Sequence, residues 1–283
     1  MFLPLGDSHD GRIMGRFGLH VRNFWENGLS GSGFLTDLSP YPESTYAHHP
    51  PLANAAHAVV SAVVGQGEWQ LRSIGFISGI ATVFSMAWLL RTVRFGWPAT
   101  IVGVALSAST AMFWLYARLG LGFWPAVLLV AVAIRVRRNE PYLRALLVLA
   151  VVCALLSWEA IAIAGITMVW LAWRPQARTA ARAMAVALAG GVAITAFWLL
   201  AATDLSELAG QATERMRAEG IGVRAWLDNM WWFYSTLFPT WYLVLILPGL
   251  VVAATAGRGD LRAERRAVVI IFGLVGVGFA VAL

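Results

Sequence analysis

Charged residues are scarce in this chain, and their scarcity is the first constraint on what it can be. Only 13% of its 283 residues are Asp, Glu, Lys or Arg, and 59% are hydrophobic. Soluble domains carry about 25% charged and about 45–50% apolar residues, so a soluble globular class is excluded. Cysteine is nearly absent: Cys153 stands alone, inside an apolar run. That excludes an internal disulfide and any C-x-x-C metal or redox motif. No H-E-x-x-H or comparable ligand spacing occurs, so the five histidines do not spell a zinc hydrolase. No internal repeat, low-complexity tract or Gly-rich nucleotide-cradling loop is visible either. The net charge of +6 and pI near 10.2 are no argument for nucleic acid, because they are what a membrane chain with basic cytoplasmic loops looks like.

What is present is a series of long apolar runs, at 73–90, 99–117, 119–134, 145–158, 160–173, 183–202, 239–256 and 267–283. They predict an all-α, polytopic transmembrane protein of about eight spans, with juxtamembrane helices on the outward side. The stretch 145–173 reads either as one helix or as a hairpin bent at "SWEA". Arginines precede it at 135, 137, 138 and 144 and follow it at 174, 178 and 182. If both clusters are cytoplasmic, the chain crosses an even number of times, and the hairpin is the expectation. The loops 91–98, 135–144, 174–182 and 257–266 hold 13 arginines and three acids, against eight arginines and 12 acids elsewhere. The Arg-rich loops are therefore expected in the cytoplasm. Four parts follow: an outward first loop over 1–72, a six-span core over 73–202, an outward loop over 203–238 and two further spans over 239–283. "MFLPLGDSHD" has no basic n-region and no adequate apolar stretch. Its outward placement leads us to expect a membrane helix before Met1, and the last apolar run, which stops at Leu283 without a polar flank, leads us to expect further sequence after it.

The polar chemistry collects outside. His9, His20, His48, His49 and His57 all fall in the first outward segment, with Asp7, Asp10, Glu26, Asp37, Glu43 and Glu68. Ile13, Phe17, Val21 and Phe24 recur at helical spacing among arginines and predict a surface helix ending at Gly28. Pro50 and Pro51 predict the start of a second helix, since proline suits a first turn. In the second outward loop, Leu205, Leu208, Ala209, Ala212 and Met216 share a face, and Asp204 with Glu207 resembles a capping box. The aromatics of 226–242 read as an interface belt or as a wall for a lipid chain or sugar. Three other positions keep two readings each. His48 and His49 either cap the following helix or contact a phosphate. Arg118 either snorkels to the interface or holds an anionic lipid phosphate. Glu159 is either a solvated turn residue or a functional carboxylate.

The ordered set "YAHHPPLANAAHAVVSAVVGQGEWQLRSIGF", "FWLYARLGLGFWP" and "LLSWEAIAIAGITMVWLAW" resembles the polyprenyl-phosphate-sugar-dependent glycosyltransferases of the C-type membrane fold. These include protein O-mannosyltransferases and the aminoarabinose and galacturonic acid transferases of lipid A. The resemblance covers roughly 7–200. It implies a sugar delivered on a lipid phosphate to a lipid, glycan or protein acceptor outside a bacterial plasma membrane. A carboxylate in the first outward loop would act as general base, with basic groups, and in some members a divalent metal, at the leaving phosphate. The matching positions are Asp7 or Asp10 for the base and His49 and Arg118 for the phosphate, with Glu43 and Glu159 as further acids. The chain departs from the pattern at Gly120 and Gly122, where many members carry an acid, and at Trp158–Glu159, where many carry Lys. "DSHDG" also replaces the usual Asp-Glu pair. Two other readings compete: a flippase of lipid-linked sugars and an inactive relative. A transporter would place charges or broken helices at the midplane, often in two related halves, and the spans here are nearly free of charge.

Overall fold

The computed structural model describes residues 9–40, 50–110, 113, 123–203, 206, 251, 255 and 259–282. Among the described residues the chain is helical, without a strand. Its helices are α1 (His9–Gly31), α2 (Leu52–Val64), α3 (Glu68–Thr92), α4 (Trp97–Ala108), α5 (Phe123–Arg137), α6 (Leu143–Leu156), α7 (Trp158–Ala172), α8 (Arg178–Ala202) and α9 (Gly259–Ala282), with a 3-10 turn at Pro175–Ala177. The second outward loop and the run 239–256 lie outside the described residues, apart from isolated positions.

Most helix ends follow from local chemistry. Pro51 is the N-cap of α2, and Gly65, at φ 91, closes it. Pro98 sits in the first turn of α4. Gly28, at φ 73 and ψ −175, leaves the helical region, but the chain re-enters a helical turn and runs to Gly31. The expected stop is therefore a kink, held by Ser32 N–H donating to the Gly28 carbonyl at 3.1 Å.

The core is built around α5. From Ala126 to Ile134 it is buried almost completely, apart from the half-buried Leu128, with α3, α6 and α7 packed on it. An apolar helix of mostly small side chains can be enclosed on every side without stranding a polar group. The buried stripe of α3 runs through Leu71, Ile74, Gly75, Ser78, Gly79, Thr82, Ser85 and Leu89, recurring once per helical turn. The Thr82 hydroxyl donates to its own helix at the Ser78 carbonyl, 2.8 Å away, so it needs no partner on α5. The other side of α3 exposes Phe76, Ile77, Ile80 and Phe84, the last at 69%. On α8 the buried positions are Ala181, Met184, Leu188, Gly191, Thr195 and Leu199, while Val186 and Phe197 are each 75% exposed. On both helices small and hydroxylated residues are well represented at the buried positions and large apolar ones are exposed, a pattern shared by helices packed in lipid.

Two segments, Glu68–Thr92 and Pro175–Ala202, are long and apolar enough to cross a membrane. The shorter apolar helices α2, α4, α6 and α7 have 12 to 15 residues. At 1.5 Å per residue, 15 residues span roughly 22 Å, less than the ~30 Å hydrocarbon core. By length and composition, two of the eight expected spans meet this measure among the described residues. The stretch 145–173 is broken at Ser157, which is extended (φ −162, ψ 155) and whose side chain accepts from Ala160 N–H at the start of α7.

Candidate functional site

The ends of the bundle differ in chemistry. At one end Arg94, Arg138, Glu140, Arg174, Asp260 and Glu264 line a single cavity of about 540 Å³. These residues come from all four Arg-rich loops, so α3, α5 and α7 end there and α6 and α9 begin there. The far ends of α3, α5, α6 and α7, with Glu68, Phe123, Ser157 and Glu159, belong to the opposite side, which carries the N-terminal segment.

The arginine end is closed by paired charge. Arg138 makes a two-pronged contact with Glu264, its Nε donating to Oε1 at 2.9 Å and its Nη2 to Oε2. Nη2 also donates to the Thr92 carbonyl at 3.0 Å, satisfying a C-terminal carbonyl of α3. Glu264 is buried, and the Arg138 hydrogen bonds are what make a buried carboxylate tolerable. Arg265 donates to the carbonyls of Val93 and Arg94. Arg135 pairs with Glu140 at 3.0 Å and stacks near Trp88 and Tyr142, and Arg137 lies 4.3 Å over Trp170. Arg174 lies 3.5 Å from Asp260.

The opposite end carries a folded cap. Val21 of α1, Leu35 of the following loop, Ala58 of α2 and Leu71 of α3 form one small core, so the cap is fixed to the first turns of α3. Polar groups lock its loop. Asn23 donates to the carbonyls of Asp37 and Ser39 at 3.0 and 3.1 Å, and Asn54 donates to the Leu35 carbonyl at 2.9 Å. Trp25 Nε1 donates to Ser61 Oγ at 3.0 Å, joining α1 to α2. His20 and His57 are both buried. His20 Nδ1 lies 3.2 Å from the Asp37 carbonyl, and His57 stacks on Phe17 with centroids 4.4 Å apart. His57 Nδ1 is buried without a hydrogen-bond partner. Burial, with the nearby His20 second, lowers its pKa to about 4, so the ring is neutral at pH 7. Arg72 pairs with Glu68 at 2.9 Å, and its Nε is buried and unpartnered.

Of the residues singled out from sequence, Asp7, Glu43, His49 and Arg118 lie outside the described residues. Asp10 is the second residue of α1. Glu159 is half-buried in the first turn of α7, next to the Ser157 break. The structure adds His57 and Arg72 at the cap end, and their signal was in the quoted motifs: His57 follows the Pro-Pro start by six residues and Arg72 closes "WQLR". Among the described residues no group of three His, Cys, Asp or Glu converges as metal ligands. Comparison of the chain with protein-family models, curated proteins and solved structures finds no match.

Proposed function

We propose that the chain is an integral membrane glycosyltransferase that moves a sugar from a polyprenyl phosphate to an acceptor at the cap end. Supporting this is the sorting of charge between the two ends. All four Arg-rich loops meet at one cavity, which under the positive-inside rule is the cytoplasmic end. The segment bearing Asp7, Asp10, His49 and Glu43 then lies outside, where lipid-linked rather than nucleotide-linked sugars are found. In this reading Asp7 or Asp10 takes the acceptor proton as the acceptor oxygen attacks the anomeric carbon and the lipid phosphate leaves. His49 and Arg118 stabilise the charge that develops on that phosphate. Exposed tryptophans at both levels fit a bilayer around the bundle: Trp69 and Trp158 at the cap end, Trp97 and Trp173 at the arginine end.

The test is donor choice. The full-length protein in lipid is offered a polyprenyl-phosphate sugar and the matching nucleotide sugar with a labelled acceptor. Transfer is expected from the lipid-linked donor alone. Transfer from the nucleotide sugar alone would end the proposal.

A further inference from the structure

We infer that the cavity at the arginine end holds the phosphate of an anionic membrane lipid, gripped by Arg94 and Arg174. The inference needs the bundle to sit in a bilayer and does not depend on the transferase reading.

Three carboxylates line the cavity, and each already has a cation. Glu140 is held by Arg135, Glu264 by Arg138, and Asp260 more loosely by Arg174. The last pair is 3.5 Å apart, with the Asp260 side chain 73% exposed, so water screens it and Arg174 can turn to a stronger partner. Arg94 is exposed and has no side-chain partner among the described residues. Its backbone is fixed in the left-handed region at φ 61, with its N–H donating to the Arg91 carbonyl and its own carbonyl accepting from Arg265. Arg137 adds a buried, unpartnered Nη1. Burial, then the positive charge of Arg174, lowers Arg137 from its ordinary value, while Asp260 and Glu264 raise it.

The surroundings favour a lipid over a soluble anion. Trp97 and Trp173, exposed at 62% and 75%, flank the cavity residues Arg94 and Arg174 in the chain and mark the interface level. Leu261 gives the cavity an apolar wall. Basic pockets between helices on the cytoplasmic side suit a phosphodiester headgroup whose tails run down the exposed apolar faces.

The full chain, purified in a neutral detergent, is melted while phosphatidylglycerol, phosphatidylcholine or inorganic phosphate is added, and lipid retention is read by native mass spectrometry. Phosphatidylglycerol is expected to stabilise the protein and the other two are not. Arg94→Gln and Arg174→Gln should each weaken phosphatidylglycerol binding about tenfold, the size of one charge-assisted hydrogen bond, without changing the lipid-free melting temperature. Arg94→Lys, which keeps the charge, should retain most of the binding. Arg182→Gln, exposed on α8 outside the cavity, should bind as the wild type. Equal weakening by Arg182→Gln would show diffuse attraction and overturn the site. Equal stabilisation by phosphatidylcholine or by inorganic phosphate would overturn the anionic-lipid assignment. A lowered lipid-free melting temperature in both Arg94 variants would show a structural role instead.

Discussion

A general base has to stand where the acceptor proton is, and only then does its pKa matter. Asp10, at the start of α1, and Asp7 just before it meet that demand only if the cap end is the reacting end. Under the proposed reaction, Asp10→Asn or Asp7→Asn is expected to lower turnover by about 10²–10⁴-fold with protein amount and donor binding nearly unchanged. Near-normal turnover in both single variants and the double variant would remove the pair and move attention to Glu43 and Glu159. His57 makes a separate prediction. Its folded pKa of about 4 lies below its ordinary 6.5. Above pH 6.5 folded and unfolded chains both hold it neutral, and it adds no pH dependence. As pH falls below 6.5 the unfolded chain takes up a proton that the folded cap refuses, so cap stability declines until folded His57 protonates near pH 4. Hydrogen exchange over α1 and α2 should show protection falling across that window. His57→Phe, which keeps a ring beside Phe17 and removes the titration, should flatten the fall.

Between helices, contact depends on side chains small enough to let backbones meet. A Cβ added at Gly191 of α8 would stand 2.6 Å from Ala154 Cβ and 3.2 Å from the Val151 carbonyl of α6. At Gly190, one residue earlier, the same atom meets nothing within 4 Å. Gly191→Ala is therefore expected to destabilise by about 1–3 kcal/mol, the usual cost of overpacking, with Gly190→Ala neutral or slightly stabilising in the same thermal-melt series. Thr195 shows why the approach is close: its hydroxyl donates at 2.9 Å to the Ala154 carbonyl of α6, near where the chain turns extended at Ser157. These elements were legible in part. Apolar runs, paired prolines and the arginine clusters on either side of 145–173 are local signals, and they locate α2, α3, α6, α7 and α8 closely. The sequence pointed to "SWEA" as the break, but not to Thr195, because a hydrogen bond between residues 41 apart leaves no periodic trace. Gly28 misled for a related reason: a glycine marks a change of backbone direction, and only the following turn decides between stop and kink. His57 carried no sign of burial, since nothing local told that Phe17 would lie against it.

For the molecule as a whole, the two ends act as its organising contrast. Counting arginines loop by loop separates the sides, but pairing Arg138 with Glu264, Arg135 with Glu140 and Arg174 with Asp260 requires the folded bundle. The sidedness is testable in intact cells with single cysteines at Ser44 and Gln176, in a background where Cys153 is replaced. A membrane-impermeant thiol reagent is expected to label position 44 and spare 176. Labelling at 176 with protection at 44 would invert the orientation and take the proposed reaction with it. The Arg138–Glu264 contact also fixes an order of events in biosynthesis. These residues are 126 positions apart, so the ribosome delivers the arginine long before its carboxylate. Throughout that interval Arg138 has the Thr92 carbonyl and the nearby charge of Glu140, but not the carboxylate of Glu264. The arrival of α9 is then the step that closes the arginine end, and a chain released before Gly259 would lack the carboxylate that pairs with Arg138.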